Sequence, residues 1–347
     1  MSLLTSLISH QIWLQRAASG EVKDLAPFIK EMRDEIKRQV LLFGDDGRST
    51  ARLNKLLRDL EDALAGITGD WQTKLTEDLK ELAAYEAEWN VKTLTANVNA
   101  EFVTPTAEQV WSAAEFQPLS LSDKPVDFTK LMSGWGETEV ARLVTGVKMG
   151  FVQGQTTRQI VKNVVGAGGL TDISERNSAT VIRTALSHVS NEARNETYRQ
   201  NDDIIEKYEW VSTLDSRTST ICRARDGMTW EIGKGPMPPA HPNCRSCTAP
   251  VISSEFDFLD KGAKRAAKGA DGGTQVSADT TYYEFLKQQP AWFQDEALGP
   301  VRGKIFRNSG ISPEEFRVIS VDGFGNPLTL KQMAELDKRV ADYLKGE

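Results

Sequence analysis

Through its first hundred residues the chain places apolar side chains with the period of an amphipathic helix. In LAPFIKEMRDEIKRQVLLF, Leu25, Phe28, Ile29, Met32, Ile36, Val40 and Phe43 fall on one face and the charges on the other. Gly44-Asp45-Asp46-Gly47 predicts an end to that helix, and Ser49 or Thr50 can cap the next. Leu53, Leu56, Leu57, Leu60 and Leu64 mark a second helix. Ile67-Thr68-Gly69-Asp70 predicts another break, and Leu75, Leu79, Leu82 and Trp89 mark a third. Short turns between long helices give antiparallel neighbours, so residues 1–100 read as an elongated helical bundle, a spacer or docking arm. The opening stretch MSLLTSLISHQIWLQRAASG lacks the basic start of a secretory signal and reads as one more amphipathic helix.

Residues 101–134 are mixed and proline-punctuated, the pattern of a connector. Helical spacing resumes over Glu137–Phe151. A short helix capped by Thr156 or Thr157 follows, then a long one over 172–200 with Val181, Ile182, Ala185, Leu186, Val189, Ala193 and Tyr198 as its buried stripe. Past Asn201-Asp202-Asp203 the period changes to two. KYEWVST predicts a strand, TAPVISS a returning one, and a long irregular loop lies between them, so 135–255 forms a small α+β unit. The stretch KGAKRAAKGADGGTQ, within 256–281, reads as a flexible linker. Residues 282–347 read as an extended docking tail of short helices broken at Pro290, Gly299-Pro300 and Gly310. That is too little chain for a large core, so Tyr282, Tyr283, Phe285, Trp292, Phe293 and Phe306 are expected to pack on the preceding domain or a partner. The fold class is mainly α with a small α+β module.

Composition narrows the picture modestly. A content of 39% hydrophobic and 26% charged residues is ordinary for a soluble protein. The formal net charge of −7 argues against a surface that embraces nucleic acid as a whole, though not against a local basic patch. No run approaches the ~18 apolar residues that would cross a bilayer. With three cysteines and no export signal, the expected compartment is a reducing cytoplasm, where clustered cysteines point to metal or thiol chemistry.

Those cysteines do cluster. Cys222, His241, Cys244 and Cys247 form C-x18-H-x2-C-x2-C, a donor set that suits tetrahedral zinc, and Pro238, Pro239 and Pro242 stiffen the turn between them. Three readings stay open: a structural zinc site, a metal-free turn with buried thiols, and a nucleophilic Cys–His pair. The last needs a group to orient the histidine, for which Asp215 is the nearby candidate, and nothing resembles an oxyanion-hole loop. Asp215, Arg217 and Thr218 in LDSRTST read as a turn in which the aspartate caps backbone amides. Arg183 on the long helix could reach across to Asp215, and His188 reads as a partly buried structural histidine. Lys261, Lys264, Arg265 and Lys268 form either a solvated segment or a basic strap for nucleic acid or an acidic partner.

Taken in order, TALSHVSNEARNETY, EWVSTLDSRTSTICRARDG and PPAHPNCRSCTAP resemble the phage Mu F-like head-morphogenesis family, minor head proteins of tailed bacteriophages. The resemblance rests on Arg183-Thr184, Trp210, Asp215, Arg217, Thr218, Cys222, Gly227, Pro238, Pro239, His241, Cys244 and Arg245. It covers about residues 135–252, and the tail from Thr280 onward is similar to the C-terminal segment of such proteins. The resemblance implies a structural, non-enzymatic virion component at the portal vertex, made in the host cytoplasm and acting in procapsid assembly, DNA packaging or ejection. Its implied partners are the portal protein, a major capsid or scaffolding protein, and packaged DNA, with no membrane and no small-molecule substrate. Many relatives read Cys-Arg-Cys or Cys-Arg-Ser-Thr where this chain has Cys244-Arg245-Ser246-Cys247. This leaves Cys222, His241 and Cys244 as the shared core and Cys247 as the least secure ligand. Two other classes are a zinc-stabilised DNA-binding protein using the 261–268 segment, and a thiol or metal hydrolase built on Cys222, His241 and Asp215.

Overall fold

The computed structural model describes residues 2–45, 49–98, 100–121, 124–252 and 262–346. Helix α1 (Leu3–Asp24) starts at Ser2, whose hydroxyl accepts the Thr5 amide at 3.3 Å. Helix α2 (Ala26–Phe43) ends at Gly44, where φ of +71° favours glycine. Helix α3 (Thr50–Val98) then runs 49 residues without interruption, so the break expected at Ile67–Asp70 does not occur. Gly66 and Gly69 each cost only about 1 kcal/mol in a helix, less than the burial of Ile67 and Trp71 on either side returns. Thr68 satisfies its hydroxyl on the Leu64 carbonyl at 3.1 Å. Its small side chain marks a close helix crossing, since a Cβ added at Gly136 would sit 3.1 Å from the Thr68 Cβ.

The expected connector is structured as well. It contains α4 (Ala107–Phe116), started by a Thr106/Gln109 capping box, and the hairpin of β1 (Leu119–Leu121) with β2 (Lys124–Val126). Helix α5 (Phe128–Val152) begins well before Glu137 because Asp127 caps it, accepting the Lys130 amide at 2.9 Å. Helix α6 (Thr157–Val165) is capped by Thr156 with Gln159. Helix α7 (Leu170–Arg199) is buried on nearly every face from Val181 to Tyr198. The core around it takes Ile29, Ile36 and Val40 from α2, Leu60, Trp71 and Leu75 from α3, and Leu143 and Val147 from α5, so the N-terminal helices share one core with α5, α6 and α7.

Beyond α7 come β3 (Ile205–Val211), α8 (Thr220–Arg225), β4 (Thr229–Glu231) and β5 (Cys247–Ile252). The sheet is antiparallel in the order β4-β3-β5, with Tyr208 opposite both Trp230 and Pro250, and Trp210 opposite Thr248. Of the stretch 256–281 read as a linker, residues 256–261 lie outside the described residues, and the rest is built on the hairpin of β6 (Lys264–Gly269) and β7 (Gly272–Ser277). It is held to the module because the Lys268 amide donates to the Leu214 carbonyl at 2.8 Å and Arg265 is buried beneath it.

The tail follows as α9 (Tyr282–Lys287), α10 (Ala291–Leu298), α11 (Pro300–Asn308), α12 (Pro313–Ser320), α13 (Leu330–Leu336) and α14 (Lys338–Gly346). The tail is folded on itself rather than extended: Tyr282, Tyr283, Phe285, Phe293 and Phe306 pack with Phe316, Met333 and Val340 on Leu214 and Ala267 of the preceding module, as expected of them, while Trp292 stays exposed. Edge-to-face packing of Tyr283, Phe306 and Phe316 gives so short a segment enough apolar area to close. The whole is mainly α with a small α+β part. No helix among the described residues is long and apolar enough to cross a membrane.

Candidate metal centre and its buried supports

Two segments bring the donors together. Ser219 starts α8 and places Cys222 one turn in, its hydroxyl accepting the Cys222 amide at 3.4 Å. The loop from β4 to β5 carries a cis Pro238–Pro239 bond and a tight turn at Asn243, where φ is +58° and the Cys244 amide returns to the His241 carbonyl at 3.1 Å. Helix α7 fixes that turn in space. Thr184 Oγ1 accepts the Asn243 amide at 3.0 Å and donates to the Thr180 carbonyl at 2.7 Å.

Cys222 Sγ then lies 3.6 Å from Cys244 Sγ and 3.3 Å from His241 Nε2. The three donor atoms all fall within 4.8 Å of one another, close enough to hold a metal ion. For zinc–sulfur and zinc–nitrogen bonds of ~2.3 and ~2.05 Å, tetrahedral ligands lie about 3.8 Å (S···S) and about 3.6 Å (S···N) apart, so the observed separations fit within a few tenths. His241 Nδ1 donates to the Pro242 carbonyl at 2.9 Å, which leaves the Nε2 lone pair turned to the sulfurs, the usual second contact of a ligating histidine. The hydrogen bond from Cys222 holds the Cys244 thiol well below its ordinary pKa against the push of burial, with His241 helping. Cys222 is pushed up correspondingly. Burial presses the His241 pKa down, but the hydrogen bond to Cys244, the attraction of that sulfur and the bond to the Pro242 carbonyl together turn the net direction up. Both cysteines are only 1% exposed, so a substrate cannot reach them as a nucleophile must be reached.

Cys247 does not join this group. It opens β5 opposite Val211, and the strand ladder aims it into the apolar cluster of Tyr198, Tyr208 and Leu94, whereas Cys222 and Cys244 pack with Trp210 and Ala240. Burial raises its thiol pKa, opposed by Arg194.

Other residues picked out by sequence form the supports. Asp215 is held bidentate by Arg245 at 2.5 and 2.9 Å and also accepts Thr218 Oγ1 and the Arg217 amide, each at 3.1 Å. Burial pushes its carboxyl up, but the Arg245 bonds carry it below the usual carboxylate range. The tie expected between Arg183 and Asp215 is therefore made by Arg245. Arg217 stands 3.9 Å away and largely in solvent. Asp215 does not orient His241, whose other ring nitrogen is taken by Pro242. Trp210 Nε1 donates to Ser212 Oγ at 3.0 Å, and that hydroxyl donates to the Cys222 carbonyl at 2.8 Å. Gly227 adopts φ of +78° and returns its amide to Trp210. His188 is fully rather than partly buried, with Nε2 on the Ala114 carbonyl at 2.8 Å, and burial lowers its pKa to about 4.

Of the basic residues proposed for nucleic acid, Lys261 lies outside the described residues, and Lys264 and Lys268 are exposed. Arg265 is not a surface contact. It is 2% exposed and meets both oxygens of buried Asp226 at 2.9 and 3.1 Å while also donating to the Ser212 and Thr280 carbonyls. Asp226 was missed by sequence reasoning. Its place directly before the positive-φ Gly227 was the available signal.

Fold and site together define a small α+β module seated on a long buried helix, its irregular loop tied by a Cys/His cluster and two internal ion pairs. Residues 141–249 match the family described as Phage Mu protein F like protein, a segment that spans the end of α5, α6, α7 and the module into β5. No curated protein and no solved structure matches the chain.

Proposed function

We propose that this protein is a minor head protein of a tailed phage, a non-enzymatic virion component that sits at the portal vertex and acts in procapsid assembly, DNA packaging or ejection. The observation that carries the reading is that the family match over 141–249 coincides with the tied module, whose Asp215–Arg245 and Asp226–Arg265 pairs are spent on internal bonds. Cys222, His241 and Cys244 would hold a structural zinc, which when bound supplies a cross-link between α8 and the β4–β5 loop. In this account the protein is assembled in the host cytoplasm and resides in the phage head, with the portal protein as first partner and capsid or scaffolding protein beside it. The DNA-binding alternative has less support, because Arg265 is committed to Asp226.

Co-expression with the portal protein of the same phage tests the reading. The expected result is co-elution with the portal ring and presence of the chain in purified particles by mass spectrometry. Elution apart from the ring, together with absence from particles, overturns it.

A further inference from the structure

Beside the metal centre lies an open cleft of about 830 Å³, walled by α1, α7, the Val211–Arg217 segment, the His241–Arg245 loop and β6. Its volume falls within the range of specific ligand sites, about 300–1,000 Å³. The cleft follows α1 from Ile8 to Ser19, a rise of about 16 Å, the length of about five extended residues.

The cleft's charge is lopsided. Its lining carries one carboxylate, Asp215, whose oxygens are taken by Arg245, and Arg265 is neutralised by Asp226. That leaves Arg183, Arg217 and Lys268 as surplus cations at the rim. Arg217 is 75% exposed, and Arg183 and Lys268 make no ion pair among the described residues. This local excess stands on a chain whose net charge is −7. Along α1 the wall offers apolar surface at Ile8 and Ile12, and Gln11 is held in place by donating to the Arg245 carbonyl at 3.3 Å.

We propose that this cleft binds a short acidic peptide segment of a partner protein, with carboxylates on Arg183, Arg217 and Lys268 and an apolar side chain against Ile8 and Ile12. A nucleic-acid duplex fits less well, because it presents a uniform line of phosphates to an open ridge and has nothing to place on an apolar floor. An acidic segment supplies both charge and apolar surface, and cations around a concave site attract it before contact. This binding role goes beyond the virion reading and does not depend on it.

The test is selection of random twelve-residue peptides displayed on phage against the full chain. Selected peptides are then synthesised and titrated by fluorescence anisotropy against the native chain and an Arg217→Glu/Lys268→Glu variant. Both side chains are exposed, so the variant should melt at the native temperature. If it does not, Arg183→Gln replaces it. The expected result is enrichment of peptides with several Asp or Glu and an apolar residue, binding at least tenfold weaker to the variant, and affinity falling as salt rises. Absence of enrichment, enrichment of neutral or basic peptides, or equal binding to the variant overturns the proposal. So does a short DNA duplex that binds in a Lys268-dependent way while acidic peptides do not. Portal co-elution in any of those cases would leave the virion reading standing.

Discussion

Replacing Asp226 by Asn separates the structured hairpin from the linker that composition suggests. The substitution keeps shape and an acceptor for the Ser212 amide, now at 2.7 Å, but removes the charge facing Arg265. Loss of one partner from a buried pair typically costs about 3–5 kcal/mol, because the remaining charge stays desolvated. Arg265 keeps its bonds to the Ser212 and Thr280 carbonyls, which places the expected loss near the low end, about 3 kcal/mol. Arg265→Met should cost a similar amount by stranding Asp226. The double variant replaces the pair with a neutral, less polar contact and should recover to within about 1 kcal/mol of the native chain, a strong coupling in a double-mutant cycle. Urea unfolding followed by tryptophan fluorescence, which includes the buried Trp210, reads all three. With a slope of about 1–3 kcal/mol per molar urea, the single variants should lower the midpoint by about 1–3 M. A loss under about 1 kcal/mol for either single variant, or additive losses in the double, would refute the claim that residues 264–277 are clasped to the module.

Other consequences follow from the same contacts. His188 must be neutral to stay buried, so its stabilisation is complete above its unfolded pKa of 6.5 and is lost as pH falls toward about 4, a change of about 3 kcal/mol; in His188→Gln the stability slope across that window should flatten. Glu192, one turn on, is raised by burial to about 7, so it acts in the opposite sense: its contribution is complete below 4.5 and lost as pH rises toward 7, and Glu192→Gln should stabilise the protein at about pH 8 in thermal melts. Thr184→Val removes the acceptor of the Asn243 amide and should cost about 1–2 kcal/mol, with faster hydrogen exchange at Asn243 and Cys244 but not in β3; unchanged exchange would mean the loop does not rely on α7.

How far the sequence alone reaches differs from element to element. The helices α1, α2, α6 and α7 were legible because each has an apolar period, reinforced before α6 by a local cap at Thr156. The pairing of KYEWVST with TAPVISS was legible because alternation and turn residues are local signals. The uninterrupted α3 was not, because Thr68 and Gly69 look like a breaker until Gly136 of a distant helix is seen against Thr68. The β6–β7 hairpin was hidden for a similar reason: its small and basic residues are ordered by Asp226 and Leu214, which lie far away in sequence. At the site, spacing brought out Cys222, His241 and Cys244. Spacing could not reveal that the chain enters β5 at Cys247, directly after Ser246, and that the strand ladder turns Cys247 away from the other sulfurs toward Tyr198.

Metal analysis of the full chain, purified without chelator, tests the central claim that Cys222, His241 and Cys244 tie the module through a bound ion. The account predicts one zinc per chain, lost in Cys222→Ser/Cys244→Ser and retained in Cys247→Ala, with a lower melting temperature in chelator. Substoichiometric zinc with a melting temperature unchanged by chelator, or full zinc content in the double serine variant, would contradict it.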